Sequence, residues 1–210
     1  MSAYSYDFYI DTCKLLKLSG FEPRRILDIG ANVCETADIM RNFWPNSDIL
    51  LIEGNSECEP IYKLKKYNYQ IKLLGKENGT TNFYKTNWSP ICSGNSIYKE
   101  KSNVYSGNML LTETLLVYKL DDVVTGNYDL IKIDTQGSEF DIIKGGINTF
   151  KNAKVIVCEV SLVDINEGGC TKEDIMNVLT KELKFDYIRC IESINDGQQI
   201  TYENLLFIKP

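Results

Sequence analysis

Short apolar runs recur along the chain, separated by stretches in which apolar residues return every three to four positions. The runs at 25–29, 48–53, 70–74, 130–134, 154–159, 185–191 and 204–208 predict strands, and the periodic stretches at 35–43, 57–67, 138–147 and 171–183 predict helices. Residues 6–18 predict an N-terminal amphipathic helix closed by Ser19-Gly20 and Pro23, making 1–22 a helical lead-in. Alternation of this kind implies an α/β fold, a mostly parallel sheet with helices on both faces. The stretch 86–114, rich in Ser, Asn, Gly and Tyr, breaks the pattern, and so long a loop inside a compact domain points to function or mobility. It is expected to be a substrate loop, with Trp88, Tyr98 and Tyr105 in it and Tyr84 just before; these aromatics either stack on a substrate ring or cover the core. At 210 residues, without repeats or a linker, one domain over 1–210 is the simplest organisation.

Ligands of such sheets bind outside the carboxyl ends of the strands. Asp28, Glu53, Asp134 and Glu159 fall at or near those ends. The segment Leu27-Asp28-Ile29-Gly30-Ala31-Asn32 reads as a strand, a tight turn and the approach to a helix. Its backbone N–H groups and the positive end of that helix lie near a bound ligand. A dinucleotide loop usually needs three glycines to close on an anionic pyrophosphate. This loop has one, and it follows a carboxylate, which suits the amino group and sulfonium of S-adenosylmethionine better and disfavours a nicotinamide-dependent oxidoreductase. Glu53, ending the second strand, can accept both ribose hydroxyls of an adenosine. Lys132 and Asp134 share one strand face, so Asp134 emerges at the sheet edge, and Gly137 permits the tight turn that follows.

Composition narrows the chemistry. With 43% hydrophobic residues, 25% charged residues and a net charge of −6, the chain lacks the basic footprint of a nucleic-acid binder. No apolar run is long enough to span a bilayer, and residues 1–8 are not a signal peptide, so a cytoplasmic protein is expected. Seven cysteines without a CxxC pair suggest free thiols rather than a zinc site or a disulfide framework. Histidine is absent, so proton transfer falls to a carboxylate, Lys, Tyr, Cys or metal-bound water.

The motif Leu27–Asn32, together with Ile52-Glu53, Gly94-Asn95-Ser96 and Leu120-Asp121-Asp122, resembles the successive motifs of FkbM-type methyltransferases. So do Leu130-Ile131-Lys132-Ile133-Asp134 with Gln136-Gly137-Ser138-Glu139, then Ile143-Lys144-Gly145 and the closing Asn204-Leu205-Leu206-Phe207. The resemblance implies a Rossmann-like class I methyltransferase fold with a seven-stranded, mostly parallel sheet whose last strand is antiparallel. It implies S-adenosylmethionine-dependent O-methylation of a sugar hydroxyl, on a deoxyhexose or another residue of a glycan. By the same resemblance Asp28, Gly30, Ala31 and Asn32 hold the methionine end of the cofactor, Glu53 takes the ribose, and Ser96 lies near the adenine. Asp134 faces the transferring methyl, with Gln136 in the same cofactor set. Cys34 stands where the family usually has glycine, and Gly54 where proline commonly follows the acidic residue. A catalytically silent protein retaining the cofactor pocket is the second rival.

Asp134 and Glu159 end strands expected to be neighbours, and two close carboxylates repel unless one is protonated or a cation lies between them. Two mechanisms follow. Either Asp134 is the base, with a raised pKa and Lys132 or Glu159 setting its environment, or Asp134 and Glu159 hold Mg²⁺ or Mn²⁺ that activates the hydroxyl.

Overall fold

The computed structural model describes residues 7–195 and 199–210; the expected helix start at residue 6 and the stretch 1–5 lie outside them. Seven strands form the main sheet: β1 (Arg25–Ile29), β2 (Asp48–Glu53), β3 (Asn68–Ile71), β7 (Leu130–Ile133), β8 (Val155–Ser161), β9 (Asp186–Asn195) and β10 (Ile200–Ile208), in the order β3-β2-β1-β7-β8-β10-β9. Strand β10 runs antiparallel to both neighbours, and the other pairs are parallel. Because the chain leaves β1 first to one side and later returns on the other, a crevice opens between the carboxyl ends of β1 and β7.

The near-continuous apolar composition of β1, β7 and β8 reflects burial on both faces. One face packs under α4 (Leu120–Val123), α5 (Glu139–Gly145), α6 (Ile147–Lys151) and α7 (Lys172–Met176), the last running on as a π-helical turn Asn177–Glu182. Alternate strand residues, Leu27, Ile29, Ile131, Ile133, Ile156 and Cys158, enter that core. The opposite face is covered by α1 (Asp7–Leu18), α2 (Glu35–Phe43) and α3 (Glu59–Lys65). Tyr9, Cys13 and Leu16 form the buried stripe of α1, at helical spacing, and α1 reaches across to β9.

Two expectations need correction. The single strand at 70–74 divides at Lys72, whose N–H still donates to Glu53 O (2.8 Å); β4 (Leu73–Gly75) then leaves the main sheet. It pairs with β6 (Leu110–Lys119), which pairs in turn with β5 (Gly79–Thr86), giving a second sheet of order β4-β6-β5. The supposed loop 86–114 is therefore shorter, since Thr86 ends one strand and 110–114 begins another. The polar Thr, Asn and Glu residues of β5 and β6 lie on strands with one solvated side. Helix α5 packs against β4 so closely that a Cβ at Gly145 would overlap the Gly75 carbonyl oxygen.

Candidate active site

The crevice at the β1–β7 switch point holds a chain of charged groups. Asp28 and Lys132 are register partners on the two strands. Both are buried, Asp28 completely and Lys132 to 4% exposure. Lys132 Nζ lies 3.3 Å from Asp28 Oδ1 and 3.6 Å from Asp134 Oδ2, and it donates to Gly30 O (2.8 Å). Thr36 Oγ1 donates to Asp28 Oδ2 (3.0 Å). Burial alone would depress the Lys132 ammonium, but Asp28 and Asp134 outweigh it and leave its pKa raised. Asp28 thus sits behind the ligand space and acts on it through Lys132.

Gly30 turns the chain with φ +74°, and a Cβ there would overlap the Asp134 carbonyl oxygen. Ala31 is buried in the core under α2. Asn32 and Cys34 take φ of 41° and 61°, so Cys34 occupies a left-handed position that favours glycine. Its side chain is fully buried, and burial, the largest influence on it, raises the thiol pKa. Gly54 lies beneath Leu73, whose Cδ1 would be 2.6 Å from a Cβ at that position.

Glu53 closes the other side of the turn. Its Oε2 accepts from Asn32 N (2.9 Å) and its Oε1 from Asn55 N (2.9 Å), which leaves a lone pair on each oxygen. Beside it a narrow inner cleft is walled by Ile29, Ile52, Leu73, Leu74, Phe83 and Ile142. This combination, an apolar slot with a carboxylate at its rim, fits an adenosine. Asn55 and Asn95 both donate to Pro90 O (2.6 and 3.3 Å), drawing the 87–109 loop over this cleft. Ser96 lines it too, but its hydroxyl is committed to the carbonyls of Thr135 (3.2 Å) and Gln136 (2.8 Å).

The turn after β7 is pinned from below. The buried Glu139 carboxylate accepts from Thr135 N (2.6 Å) and Gly137 N (3.0 Å), fixing Gln136 and Gly137 at φ 57° and 100°. That geometry aims the Gln136 amide between two acids. Its Nε2 donates to Asp134 Oδ1 (2.9 Å) and to Glu159 Oε2 (2.7 Å). Burial first, then the charges of Asp134 and Glu139, hold the Glu159 carboxyl well above the usual range. An amide between the acids and the Lys132 ammonium relieve the repulsion expected between Asp134 and Glu159, and the raised pKa of Glu159 favours its protonated form. The raised carboxyl is Glu159.

This donor set does not fit Mg²⁺ or Mn²⁺. An N–H donor and an ammonium stand where a divalent cation needs oxygens, and among the described residues no group of three or more His, Cys, Asp or Glu side chains could hold a metal. The metal expectation at Asp134 and Glu159 is thus without support.

The raised Glu159 makes a pH prediction. The folded state keeps this proton while the unfolded chain loses it above the ordinary carboxylate pKa, so its contribution is greatest below that value and declines as pH rises toward the folded-state pKa. Glu159→Gln should remove up to one proton, about 1.4 kcal/mol per pH unit, from the fall of stability with pH. Urea melts across the acidic-to-neutral range test this; an unchanged slope would mean that Glu159 is ionised in the fold.

A second, outer cleft of about 760 Å³ shares Asp134, Gln136, Cys92 and Ser93 with the inner one. Its walls come from α1 (Phe8, Tyr9), the 92–105 loop and β9–β10 (Glu192, Tyr202, Asn204). Sequence reasoning missed Tyr9, Phe83 and Glu192. Of the four aromatics singled out, Tyr105 lines the outer cleft and is 1% exposed, whereas Tyr84, Trp88 and Tyr98 line neither. Tyr98 instead donates to Asp141 Oδ2 (2.6 Å).

Residues 28–187 match the family model of the methyltransferase FkbM domain. Among solved structures the chain is similar to the methyltransferase FkbM from Methylobacillus flagellatus, with TM-score 0.53 and 12% identity over 87% of this chain and 43% of that one. The chain thus spans less than half the length of that protein. It is also similar to an S-adenosylmethionine-dependent methyltransferase from Clostridium acetobutylicum, with TM-score 0.53 and 9% identity over 99% and 93%. The N-methyltransferase NodS from Bradyrhizobium japonicum gives TM-score 0.53 and 10% identity over 96% and 94%. At these identities the likeness to solved structures is one of fold, the class I methyltransferase sheet. Among the described residues no helix is long and apolar enough to cross a membrane.

Proposed function

Since the chain belongs to the FkbM methyltransferase family, we propose that it is an S-adenosylmethionine-dependent methyltransferase that methylates a hydroxyl of a sugar or glycan. The observation that carries this reading is the shared wall of the two clefts at Asp134 and Gln136. An acceptor in the outer cleft meets a nucleoside cofactor from the inner cleft there. The polar side chains in the mixed outer lining, Thr201, Tyr202 and Asn204 on β10 among them, suit a polyhydroxyl compound.

Bound S-adenosylmethionine supplies an electrophilic methyl group. Glu53 would hold the ribose through its remaining lone pairs, and the turn Gly30–Asn32 would present backbone to the methionine end. Asp28 contributes its charge through Lys132. Asp134 orients the acceptor hydroxyl and takes its proton, while Lys132 and the Gln136 amide fix the carboxylate. Glu159, whose raised pKa favours the protonated form, lessens the negative charge beside the base. Holding the acceptor oxygen in line is the larger part of such catalysis.

S-adenosylhomocysteine should raise the melting temperature, since it binds only the folded state, and NAD should not. Glu53→Ala should weaken the binding about tenfold, about 1.4 kcal/mol. A shift with NAD and none with S-adenosylhomocysteine would overturn the cofactor assignment. Mass spectrometry of a glycoside panel incubated with S-adenosylmethionine, read for the gain of one methyl, tests the acceptor class; methylation of amines alone would refute the hydroxyl reading.

A further inference from the structure

The outer cleft is richer in acids than its cations can balance. Lys101 is bound to Asp164 at the rim, and the buried ammonium of Lys132 is shared by Asp28 and Asp134. Glu100 and Glu192 also line the cleft, and neither has a Lys or Arg partner among the described residues. Among the described residues the Glu192 carboxylate accepts from Asn204 Nδ2 alone (2.9 Å), and burial, with Asp134 adding, raises its pKa, the mark of a carboxylate short of positive charge.

A second observation is independent of this charge. Tyr9 is 4% exposed and lines the same cleft, yet its hydroxyl has no hydrogen-bond partner among the described residues. The Ser102 hydroxyl, also on this lining, is likewise unpartnered. Buried hydroxyls are normally satisfied, so both are placed for a polar ligand. Burial, then Asp28 and Asp134, hold the Tyr9 phenol well above its usual range, so it stays protonated and can both donate and accept.

We infer that the outer cleft is built for an acceptor carrying an ammonium group, an amino-substituted sugar, whose charge is balanced by Glu100 and Glu192 and whose neighbouring polar atom meets Tyr9. This rests on the proposed methylation of a sugar and names the class of sugar. A phosphorylated or carboxylated sugar would meet the same carboxylates as repulsion. Tyr9 and Glu192 lie outside residues 28–187, the part matched to the family, and Glu100 lies within it.

The test is a matched pair of probes, cellotriose and the β-1,4-linked glucosamine trimer, which differ by a hydroxyl against an ammonium at each C2. Each is titrated calorimetrically into protein saturated with S-adenosylhomocysteine, slightly below neutral pH. The amino trimer should bind about tenfold tighter than cellotriose at low salt, and added salt should narrow the gap. Glu192→Gln, or Glu100→Gln should the first variant not fold, should shrink it to about threefold or less, and Tyr9→Phe should weaken the amino trimer. Affinity for S-adenosylhomocysteine should stay unchanged throughout. Equal binding of the two trimers, binding of neither, or a gap that survives both Gln variants overturns the inference. Cellotriose binding as tightly as the amino trimer still leaves the sugar reading standing. Failure of S-adenosylhomocysteine itself to bind overturns the reading beneath.

Discussion

Lys132→Met is expected to lower folding stability by about 3–5 kcal/mol, because it leaves a buried charge without its partner. Methionine fills most of the aliphatic stem, so lost packing is a minor part of the effect. What remains is Asp28, fully buried, with Thr36 Oγ1 on one oxygen and, among the described residues, no hydrogen bond on Oδ1, which relies on the ammonium 3.3 Å away. Removing both charges should cost less than removing one. The Asp28→Asn/Lys132→Met double variant should recover much of the loss, with a coupling of about 1–3 kcal/mol. Urea melts of the two single variants and the double variant measure it. A single variant within about 1 kcal/mol of the parent would mean that Asp28 is protonated or water-solvated, and that Lys132 is not its counter-ion.

The part of this arrangement legible in the sequence is the part written in consecutive residues. Apolar runs ending in acids, at Asp28, Glu53, Asp134 and Glu159, identified the strands and the edge of the sheet where the site lies. Burial on both faces leaves little freedom in what such a strand contains. The β5–β6 hairpin escaped because its sheet has one solvated side, and Thr, Asn and Glu are as common in loops as on such a face. The raised pKa of Glu159 escaped for another reason. Its state depends on the left-handed turn at Gln136–Gly137, on Glu139 holding that turn and on the depth of β8, none of which a linear pattern encodes. The outer cleft was least visible, since α1, the 92–105 loop and β9–β10 meet there only through the fold. Tyr9 reads as one more apolar position of an amphipathic helix until its hydroxyl is found without a partner.

Asp134→Asn is expected to reduce the rate of methyl transfer by about 10²–10⁴, equivalent to about 3–5 kcal/mol of barrier, if Asp134 takes the acceptor proton. The substitution keeps the shape and removes the basicity. It also disturbs the site in a defined way. Asp134 presents Oδ1 to Gln136 Nε2 at 2.9 Å and Oδ2 to Lys132 Nζ at 3.6 Å, so an asparagine must turn its NH₂ toward one donor or the other. The Gln136 amide can flip to meet it, at the expense of its bond to Glu159 Oε2. The chemical step should therefore suffer far more than the fold. A thermal shift with S-adenosylhomocysteine separates the possible roles: affinity within about threefold of the parent, about 0.7 kcal/mol, with the rate reduced, assigns Asp134 to the acceptor. Loss of affinity in proportion to the rate assigns it to the cofactor. A variant as fast as the parent would remove Asp134 from the chemistry and leave positioning alone to carry the reaction, with the hydroxyl proton passing to solvent after the methyl has moved.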